Sequence, residues 1–568
     1  MIMKKTEIRK QHIIQLAFSL VILVLIAFIS TKIFFRVDLT SERRYTLSTE
    51  TKTVLEKLDD IVYVKVYLEG DLPVGFKKLH NAIRETLDEF RVYAKDNLQY
   101  EFINPSESDD PKVRNKVFAE IYKKGVRPTN IQSRDKEGGA SEKIIVPGAL
   151  VTYKGIEVPV GFLKNNISLT SDENLNNSAQ TIEYELIKTI SNLTNKKVDK
   201  IAFLEGQGEL DTMEVQDITI ELGNYFQVDR GAINGKPGVL DNYKAIIIAR
   251  PTKRFTEQDK FVLDQYIMNG GKALWFIDEV NMNTDSLAKG STFAFINNLN
   301  IDDQLFTYGV RINLNIVQDI QCNMIPINAG VVGEQPRWVP TPWLYYPLIS
   351  PLVDHPISRN LNLVWAKYAS QIDTVGGNQK VKKTFLLKTS VYTRLVNAPA
   401  YISLEEVRRN PVRSEFNKSN LPIAVLLEGR FPSVYRNRLI KNIIPGADAN
   451  YKAESVPTKM IIVADGDMIA NDVHTTANGP MITALGYDKY TRQTFGNKDF
   501  IVNAVNYLTD ETGLMSLRAK EFKLRLLNKA RIRDERFKWQ VINTLLPVLL
   551  LICFGFYYNY SRKKKYSR

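Results

Sequence analysis

The sequence is poor in cysteine and histidine, which limits the chemistry open to it. Two cysteines in 568 residues, Cys322 and Cys553, exclude a disulfide framework, and four histidines argue against a histidine-rich metal site. Because Cys553 lies inside an apolar run, a cysteine nucleophile would have to be Cys322. No glycine-flanked turn and no histidine adjoins that residue. We therefore predict that Cys322 is structural, that Cys322→Ser keeps its function, and that the protein is not an enzyme.

A phosphate-binding loop is also absent. Gly270, Gly271 and Lys272 have neither the earlier glycine nor the following serine or threonine of the GxxxxGK[ST] pattern, so they are predicted to end a helix. If the protein serves an ATP-driven process, the ATPase is then a separate chain. We expect no bound cofactor.

Two apolar runs are long enough to cross a membrane, since about 20 helical residues span the hydrocarbon core of a bilayer. HIIQLAFSLVILVLIAFIS begins at His12, and WQVINTLLPVLLLICFGFYY begins at Trp539. They predict transmembrane helices at 13–35 and 539–558. The first run has a cleaved signal peptide as its alternative, although no small-x-small cleavage site follows it. The second has a buried core helix as its alternative.

Positive charge is concentrated beside these two runs. Residues 1–12 carry a net charge of +3, residues 518–538 carry +6 and the tail at 559–568 carries +5, whereas the whole chain carries +13. The remainder is therefore about neutral, which argues against a nucleic-acid partner, while the basic edges favour anionic lipid headgroups. By the positive-inside rule both basic termini are cytoplasmic, and the bulk of the chain lies outside the cytoplasm.

The segment after the first run predicts a mixed α/β domain over 36–195. Ser48 is expected to cap a helix, and Ile61–Gly70 reads as a strand. Further strands are separated at Pro147–Gly148, and a helix at 179–195 ends the domain. Residues 106–141 show little periodicity beyond a short apolar stretch at 117–122.

Strands and helices alternate in the second predicted domain, over 196–510. Apolar strands begin near Lys200, Tyr243 and Lys272, and Thr256 is placed to cap the helix between the last two. This alternation predicts an α/β fold with a parallel sheet, flavodoxin-like and close to the class I glutamine-amidotransferase fold. A further apolar strand near Lys459 is expected to rejoin the sheet after a long insertion. A basic juxtamembrane helix is predicted at 511–538.

Candidate binding residues follow the strands of this sheet, because ligands of such folds bind at the carboxyl ends of the strands. The loops carry Glu205, Gln207 and Glu209, then Asp278 and Glu279. If the sheet has a ligand- or partner-binding surface, we predict that these five residues form it; for Glu205 and Glu209 the alternative is a solvated glycine loop.

Asp465 and Asp467 lie in a third strand-end loop, where their oxygens offer ligands for a divalent cation. The alternative, a turn in which aspartate caps the following helix, is the stronger expectation. We therefore predict no metal site.

The chain resembles, nearly from end to end, the gliding-motility ABC-transporter accessory proteins of Bacteroidetes (the GldG type). The resemblance rests on several motifs, among them DLTSERRYTLS, FLEGQGELD, YIMNGGKALWFIDE, VADGDMIAND and FGNKDFIVNAVNYLTDETGL. Relatives often read GHGE where this chain has Gly206-Gln207-Gly208-Glu209. Without that histidine the loop lacks an acid–base group that titrates near neutral pH, so a catalytic role for it is disfavoured.

This resemblance implies a non-catalytic inner-membrane subunit that works beside a separate permease and a separate ATPase, in contact with membrane lipids and other envelope motility components. It also implies that DLTSERRYTLS joins the membrane helix to the first domain, the alternative being a plain polar linker. Two other functions remain open: a structural protein that couples the transporter to motility machinery without a small ligand, and an envelope hydrolase of the amidotransferase-like fold.

The predicted topology has a direct test. A reporter that is active only in the cytoplasm, fused near Gly235, should be inactive, because this position lies in the domain between the two predicted spans. The same reporter fused after Arg568 should be active. Cytoplasmic activity at Gly235 would contradict the topology.

Overall fold

A computed structural model describes residues 13–25, 46–134, 140–195, 198–332, 335–352, 355–376, 380–438, 451–476, 479–519 and 529–566. The chain divides into two compact units. One contains Leu47–Lys520, and the other contains Met1–Thr46 together with Glu521–Arg568.

A four-stranded mixed sheet is the centre of the N-terminal domain, in the order β2-β1-β5-β6. Strand β1 pairs parallel with β2 and antiparallel with β5, while β3 and β4 form a separate hairpin. The elements of this domain are α1 (Thr49–Glu56), β1 (Val62–Val66), α2 (Val74–Ala94), β2 (Leu98–Phe102), α3 (Pro111–Lys123), β3 (Thr129–Arg134), β4 (Ala140–Ile145), β5 (Gly148–Tyr153), β6 (Ile156–Gly161) and α4 (Ser171–Thr194).

Local sequence signals explain most of this domain. The Ser48 side chain accepts the Thr51 N–H at 3.0 Å, so the predicted cap of α1 is confirmed. The start of α3 went unpredicted because Ile121 alone is buried on that helix, which leaves little apolar periodicity to read. Its actual signal is Asp110, whose side chain accepts the Lys112 N–H at 2.9 Å.

The second domain begins as alternating strands and helices, as predicted: β7 (Lys200–Glu205), α5 (Gln216–Gly223), β8 (Gln227–Ala232), β9 (Ala245–Ala249), α6 (Glu257–Met268) and β10 (Lys272–Phe276). The insertion that follows contributes β11 (Val280–Met282), α7 (Thr284–Leu287), β12 (Ser291–Ile296), α8 (Asp302–Tyr308), β13 (Val310–Ile312), β14 (Asn315–Asp319), β15 (Cys322–Val332), β16 (Gln335–Pro351), β17 (Val364–Trp365), β18 (Ile372–Thr374), β19 (Val381–Lys388), β20 (Thr393–Asn397), β21 (Ala400–Ser403) and β22 (Pro422–Gly429).

The chain then returns to the sheet and completes the domain with β23 (Thr458–Val463), β24 (Val473–Thr476), β25 (Gly479–Ile482), β26 (Tyr487–Asp488), β27 (Gln493–Thr494) and α9 (Asn497–Thr509). Short 3₁₀ helices lie at Lys95–Asn97, Leu404–Arg408, Arg413–Glu415, Asp467–Ile469 and Leu514–Ala519.

One large sheet organises this domain. Strands β8-β7-β9-β10-β23 are parallel, so in chain order they lie 2-1-3-4-5. Strand β23 does rejoin the sheet beside β10 after the insertion. The sheet continues as antiparallel strands β22-β19-β16-β15, which the sequence did not reveal. Helices α5 and α9 cover one face of the parallel half, and α6 and α8 cover the other.

The segment after α9 differs from the predicted helix at 511–538. Leu514, Met515 and Leu517 are buried in the core of the N-terminal domain, and a 3₁₀ helix carries them. Arg518 donates to the carbonyl oxygens of Pro356 and Arg359 at 2.9 and 2.8 Å. This segment therefore belongs to the folded unit, because its apolar side chains have a core to enter.

The C-terminal helix, Lys529–Tyr566, contains a candidate membrane span at Asp534–Lys564, in which an 18-residue window has a mean hydropathy of 2.0. It is the one helix among the described residues that is long and apolar enough to cross a membrane. The first predicted span, 13–35, is described as an apolar helix only over Ile13–Leu25, and its remaining residues lie outside the described part of the chain.

The predicted cap of α6 gives a stability test. Thr256 accepts the Asp259 N–H at 3.1 Å and donates to the Asp259 carboxylate at 2.9 Å. Thr256→Ala should lower the free energy of unfolding by about 1 kcal/mol, the usual cost of losing a cap. The measurement is urea denaturation followed by tryptophan fluorescence. Thr307→Ala, which removes a hydroxyl bonded to the Asp303 carbonyl inside α8, is the control; an equal loss in both variants would contradict the capping role.

Candidate functional site

The carboxyl edge of the parallel sheet brings together the loops after β7, β9, β10 and β23. Parallel strands present all their carboxyl ends at one edge, which is where ligands of such folds bind. Two groups of side chains lie there. One surrounds the loop from Glu205 to Glu209, and the other joins Asp278, Asp465 and Asp467 to Arg250.

In the first group, Glu205 is paired with a cation. Its Oε1 accepts from Arg230 Nε at 2.6 Å, and Arg230 also donates to the Leu210 carbonyl at 2.8 Å. The Glu205 side chain is nevertheless 45% exposed. Of the predicted loop residues, Glu205 therefore retains a surface that a partner can reach.

Gln207 points inward and holds the loop to the start of α6. Its Nε2 donates to Asp259 at 3.0 Å, and its carbonyl accepts the N–H groups of Thr252 and Lys253 at 2.9 and 2.8 Å. The Gln207 Oε1 is buried and has no hydrogen-bond partner among the described residues. These hydrogen bonds of Gln207 lie inside the protein, and they hold the loop in its conformation.

Glu209 folds back on the same loop. Its Oε2 accepts the Gln207 N–H at 2.8 Å, while its Oε1 is buried without a partner among the described residues. Burial raises the pKa of this carboxyl, and the nearby Glu205 adds to the effect. A neutral carboxyl at this point would donate a hydrogen bond as well as accept one.

The second group connects strand ends through carboxylates and one arginine. Arg250 pairs with Asp467, and its Nη2 lies 3.0 Å from Glu214. The Gly466 N–H donates to Asp278 at 2.5 Å. Burial, reinforced by the neighbouring carboxylates, raises the pKa of both Asp278 and Asp465. Two effects thus stabilise the cluster. Asp467 is paired with Arg250, and the raised pKa values of Asp278 and Asp465 disfavour negative charge on these two carboxyls.

Asp465 organises the turn after β23. One of its oxygens accepts the N–H groups of Asp467 and Met468 at 2.9 and 3.0 Å, and the other accepts the Lys367 N–H at 2.7 Å. This is the geometry of the capping alternative stated above. Among the described residues, no group of three or more His, Cys, Asp or Glu side chains is arranged to hold a metal ion.

Glu279 is directed into the protein. It is 2% exposed, and burial, followed by the neighbouring Asp302, raises its pKa to about 9. Glu279 is therefore mainly protonated at neutral pH. Its visible role is to fill a buried position beside α8.

Arg250, Lys367 and Arg230 are the important residues at this edge that sequence reasoning missed. Arg250 follows the apolar strand β9 with a positive φ of 53°, and its position directly after IIIA was the one available signal. Lys367 comes from the insertion and pairs with Asp472 at 3.1 Å. No local pattern indicates that Lys367 returns to this edge.

Cys322 is the first residue of β15. In the strand order of the sheet, β16, β19 and β22 lie between β15 and the parallel strands that carry these loops. Burial, followed by the charge of Asp319, raises the pKa of its thiol to about 12. Because the thiolate is the reactive form, this environment suits a structural cysteine.

Most of the second domain matches a known protein family. Residues 199–504, more than half of the chain, match the family described as an ABC-type uncharacterized transport system (ABC_transp_aux). The chain belongs to this family. Its membership supports an accessory role in an ABC-type transport system and suggests a non-catalytic protein. Residues 41–152 match a domain of unknown function (DUF7088). No curated protein matches the chain.

Two solved structures show remote similarity. The mmIFT52 N-terminal domain is 14% identical, with a TM-score of 0.31, and the match covers 55% of this chain and 97% of that one. Exo-beta-1,4-mannosidase Op5Man5 from Opitutaceae bacterium strain TAV5 is 10% identical, with a TM-score of 0.20, over 68% of this chain and 45% of that one. Neither TM-score is high enough to carry an argument about function.

The buried Glu279 gives a pH-dependent prediction. Its folded-state pKa of about 9 exceeds the unfolded value of about 4.3, so the stability that it contributes is complete below the unfolded value and is lost as the pH rises toward 9. Glu279→Gln keeps a neutral side chain, so its melting temperature should fall less than that of the wild type between pH 5 and 9. The control is Glu85→Gln on the exposed face of α2. Parallel curves for the wild type and Glu279→Gln would contradict the assignment.

Proposed function

We propose that this protein is a non-catalytic accessory subunit of an ABC-type transporter, anchored in the inner membrane, whose extracytoplasmic domains bind another component of the complex. Family membership over residues 199–504 is the observation that carries the proposal. The apolar C-terminal helix is compatible with membrane association. A second span at 13–35, cytoplasmic termini and a link to gliding motility are further parts of this proposal.

The partners are a permease subunit and a separate ATPase subunit. Neither GxxxxGK[ST] nor a comparable phosphate loop occurs in the sequence, so ATP hydrolysis is assigned to another chain. The 2-1-3-4-5 strand order supports a flavodoxin-like domain, since that order is one of the two common arrangements of doubly wound sheets. Such a sheet offers its carboxyl edge as the binding surface.

The proposed contact surface centres on the half-exposed Glu205 and the adjoining Glu209. Gln207, Asp278 and Glu279 would hold the loops of this surface in place, because their contacts lie inside the domain. Glu205 presents a partly exposed carboxylate at this surface, so the partner surface is expected to be cationic or rich in hydroxyl groups. A protein is favoured over a small molecule because these loops supply no aromatic walls.

The first test is affinity purification of the full-length chain in mild detergent, followed by identification of the chains that copurify. Recovery of a permease and an ATPase is the expected result. A stable protein that copurifies with neither would contradict the accessory role.

The second test addresses the surface. The double variant Glu205→Gln/Glu209→Gln should lose about tenfold or more in recovery of the transporter subunits, as expected when charged groups at an interface are neutralised. Its melting temperature should stay near that of the wild type. The matched control is Glu85→Gln/Glu120→Gln, two exposed glutamates of the N-terminal domain.

Unchanged recovery in a stably folded double variant would move the surface to the insertion between Val280 and Pro457. The outer face of β12 and β21 is then the next place to test, because Phe293, Phe295 and Tyr401 are more than half exposed there and the Phe293 ring packs against the other two.

A further inference from the structure

The amino edge of the parallel sheet, opposite the edge described above, contains a cavity of about 690 Å³. It opens between the starts of β9 and β10, the end of α6 and the segment at Tyr451. Its size falls within the range of about 300–1,000 Å³ that is common for ligand sites. We call it the amino-edge pocket, and the side chains that matter for its chemistry are Tyr243, Lys244, Tyr266, Lys272, Tyr451 and Lys452.

Two of the three lysines have no counter-ion in the described part of the chain. Lys244 is paired with Asp199 at 2.7 Å and with Glu511 at 3.4 Å. Lys272 and Lys452 form no ion pair with any described residue. Lys272 is half-buried, and that burial is the main cause of its lowered pKa; the charges of Lys244 and Lys459 add to the shift, while those of Glu511 and Asp199 oppose it. A partly buried cation without a partner is costly, and an anion in the pocket would offset that cost.

The turn that carries Lys272 is fixed by packing. Gly270 has a positive φ of 98°, and a Cβ on Gly271 would lie 2.4 Å from the Tyr266 ring. Glycine is therefore required at both positions, and the turn sets Lys272 against the Tyr266 hydroxyl, which accepts the Lys272 N–H at 3.3 Å. The backbone position of Lys272 is thus set by the fold.

Carbonyl groups at the end of α6 are hydrogen-bonded within the protein, so they repel an anion in the pocket less than free carbonyl groups would. The Tyr266 carbonyl accepts the Gly271 N–H at 2.9 Å, and the Ile267 carbonyl accepts the Gly270 N–H at 3.0 Å. The carbonyls of Gly270 and Gly271 accept from the Thr458 hydroxyl. These contacts satisfy the acceptors that otherwise make a helix C-terminus negative.

We propose that the amino-edge pocket binds a phosphate group, with Lys272 and Lys452 as its cationic partners. Two lysines that form no ion pair with the described residues match a group that carries up to two negative charges, and lysine binds phosphate as a point charge. Tyr243 and Tyr451 provide walls for the organic portion, and Asp241, which also lines the pocket, accepts a hydroxyl group of the same ligand. The ligand is either a lipid headgroup or a soluble phosphate ester. This inference is independent of the transporter role.

The experiment uses the full-length protein in a nonionic detergent, with inorganic phosphate and dihexanoyl phosphatidic acid as probes and dihexanoyl phosphatidylcholine as the comparison lipid. Binding is measured by titration calorimetry. Lys272→Gln should weaken binding by about tenfold, as expected for loss of a charged partner. Lys452→Gln should weaken it as well, and because that side chain is exposed the variant is expected to fold normally. The control is Lys236→Gln, an exposed lysine elsewhere in the domain.

The two probes separate the sources of the phosphate. Binding of both, weakened in the two pocket variants, supports a site that accepts a soluble phosphate, and binding of phosphatidic acid alone supports a lipid headgroup. Either result upholds the proposal. Binding of neither probe, or equal affinities in the wild type and both pocket variants, overturns it.

Melting temperature without ligand provides an independent readout. Because Lys272 is a half-buried cation without a counter-ion among the described residues, Lys272→Gln should melt at the wild-type temperature or above it. A clear decrease would mean that Lys272 has a stabilising partner in the free protein, which would overturn the premise and the proposal with it.

Discussion

Five parallel strands can be stable only if both faces of their sheet are covered, and this constraint shapes the second domain. All five residues of β9 are buried, as in a strand enclosed between two layers. Helices α5 and α9 provide one layer, and α6 and α8 provide the other. Because α9 and β23 come after the insertion, the chain has to return from a long excursion before the sheet is complete. The insertion is consequently clamped at both ends by the parallel sheet.

The same constraint explains the electrostatics at the two edges of the sheet. At the carboxyl edge, four strand ends converge and bring their acidic side chains together. Arg250 pairs with Asp467 and Glu214, while Asp278 and Asp465 are bound by backbone N–H groups and have raised pKa values. At the amino edge, lysines converge in the same way, and two of them have no described counter-ion. The domain thus has an acidic cluster paired with Arg250 at one edge and, at the other, a group of lysines of which Lys244 is paired with Asp199 and Glu511.

At the carboxyl edge, some of the residues that the sequence predicts to bind a partner hold the loops in place. Gln207 and Glu279 were selected from sequence as binding residues, and the structure gives both of them buried contacts that shape the loops. Glu205 differs because its side chain is partly exposed beside Arg230. An accessory subunit needs a surface that is rigid before its partner arrives, since preformed contacts reduce the entropy lost on binding. A loop braced from within, with one carboxylate directed outward, suits that requirement.

The sequence by itself determined the local elements: the caps at Ser48 and Thr256, the apolar strands β7, β9, β10 and β23, and the helix stop at Gly270. These follow from side-chain periodicity and capping chemistry, which act within a few residues. Only the tertiary structure decided the antiparallel half of the sheet, the burial of Leu514, Met515 and Leu517 in the N-terminal core, and the partners of each edge carboxylate. Arg250 meets Asp467, and Asp465 meets Lys367, across about 100 or more residues of chain. Charge pairing at that separation depends on how strands are ordered, and no local pattern encodes that order.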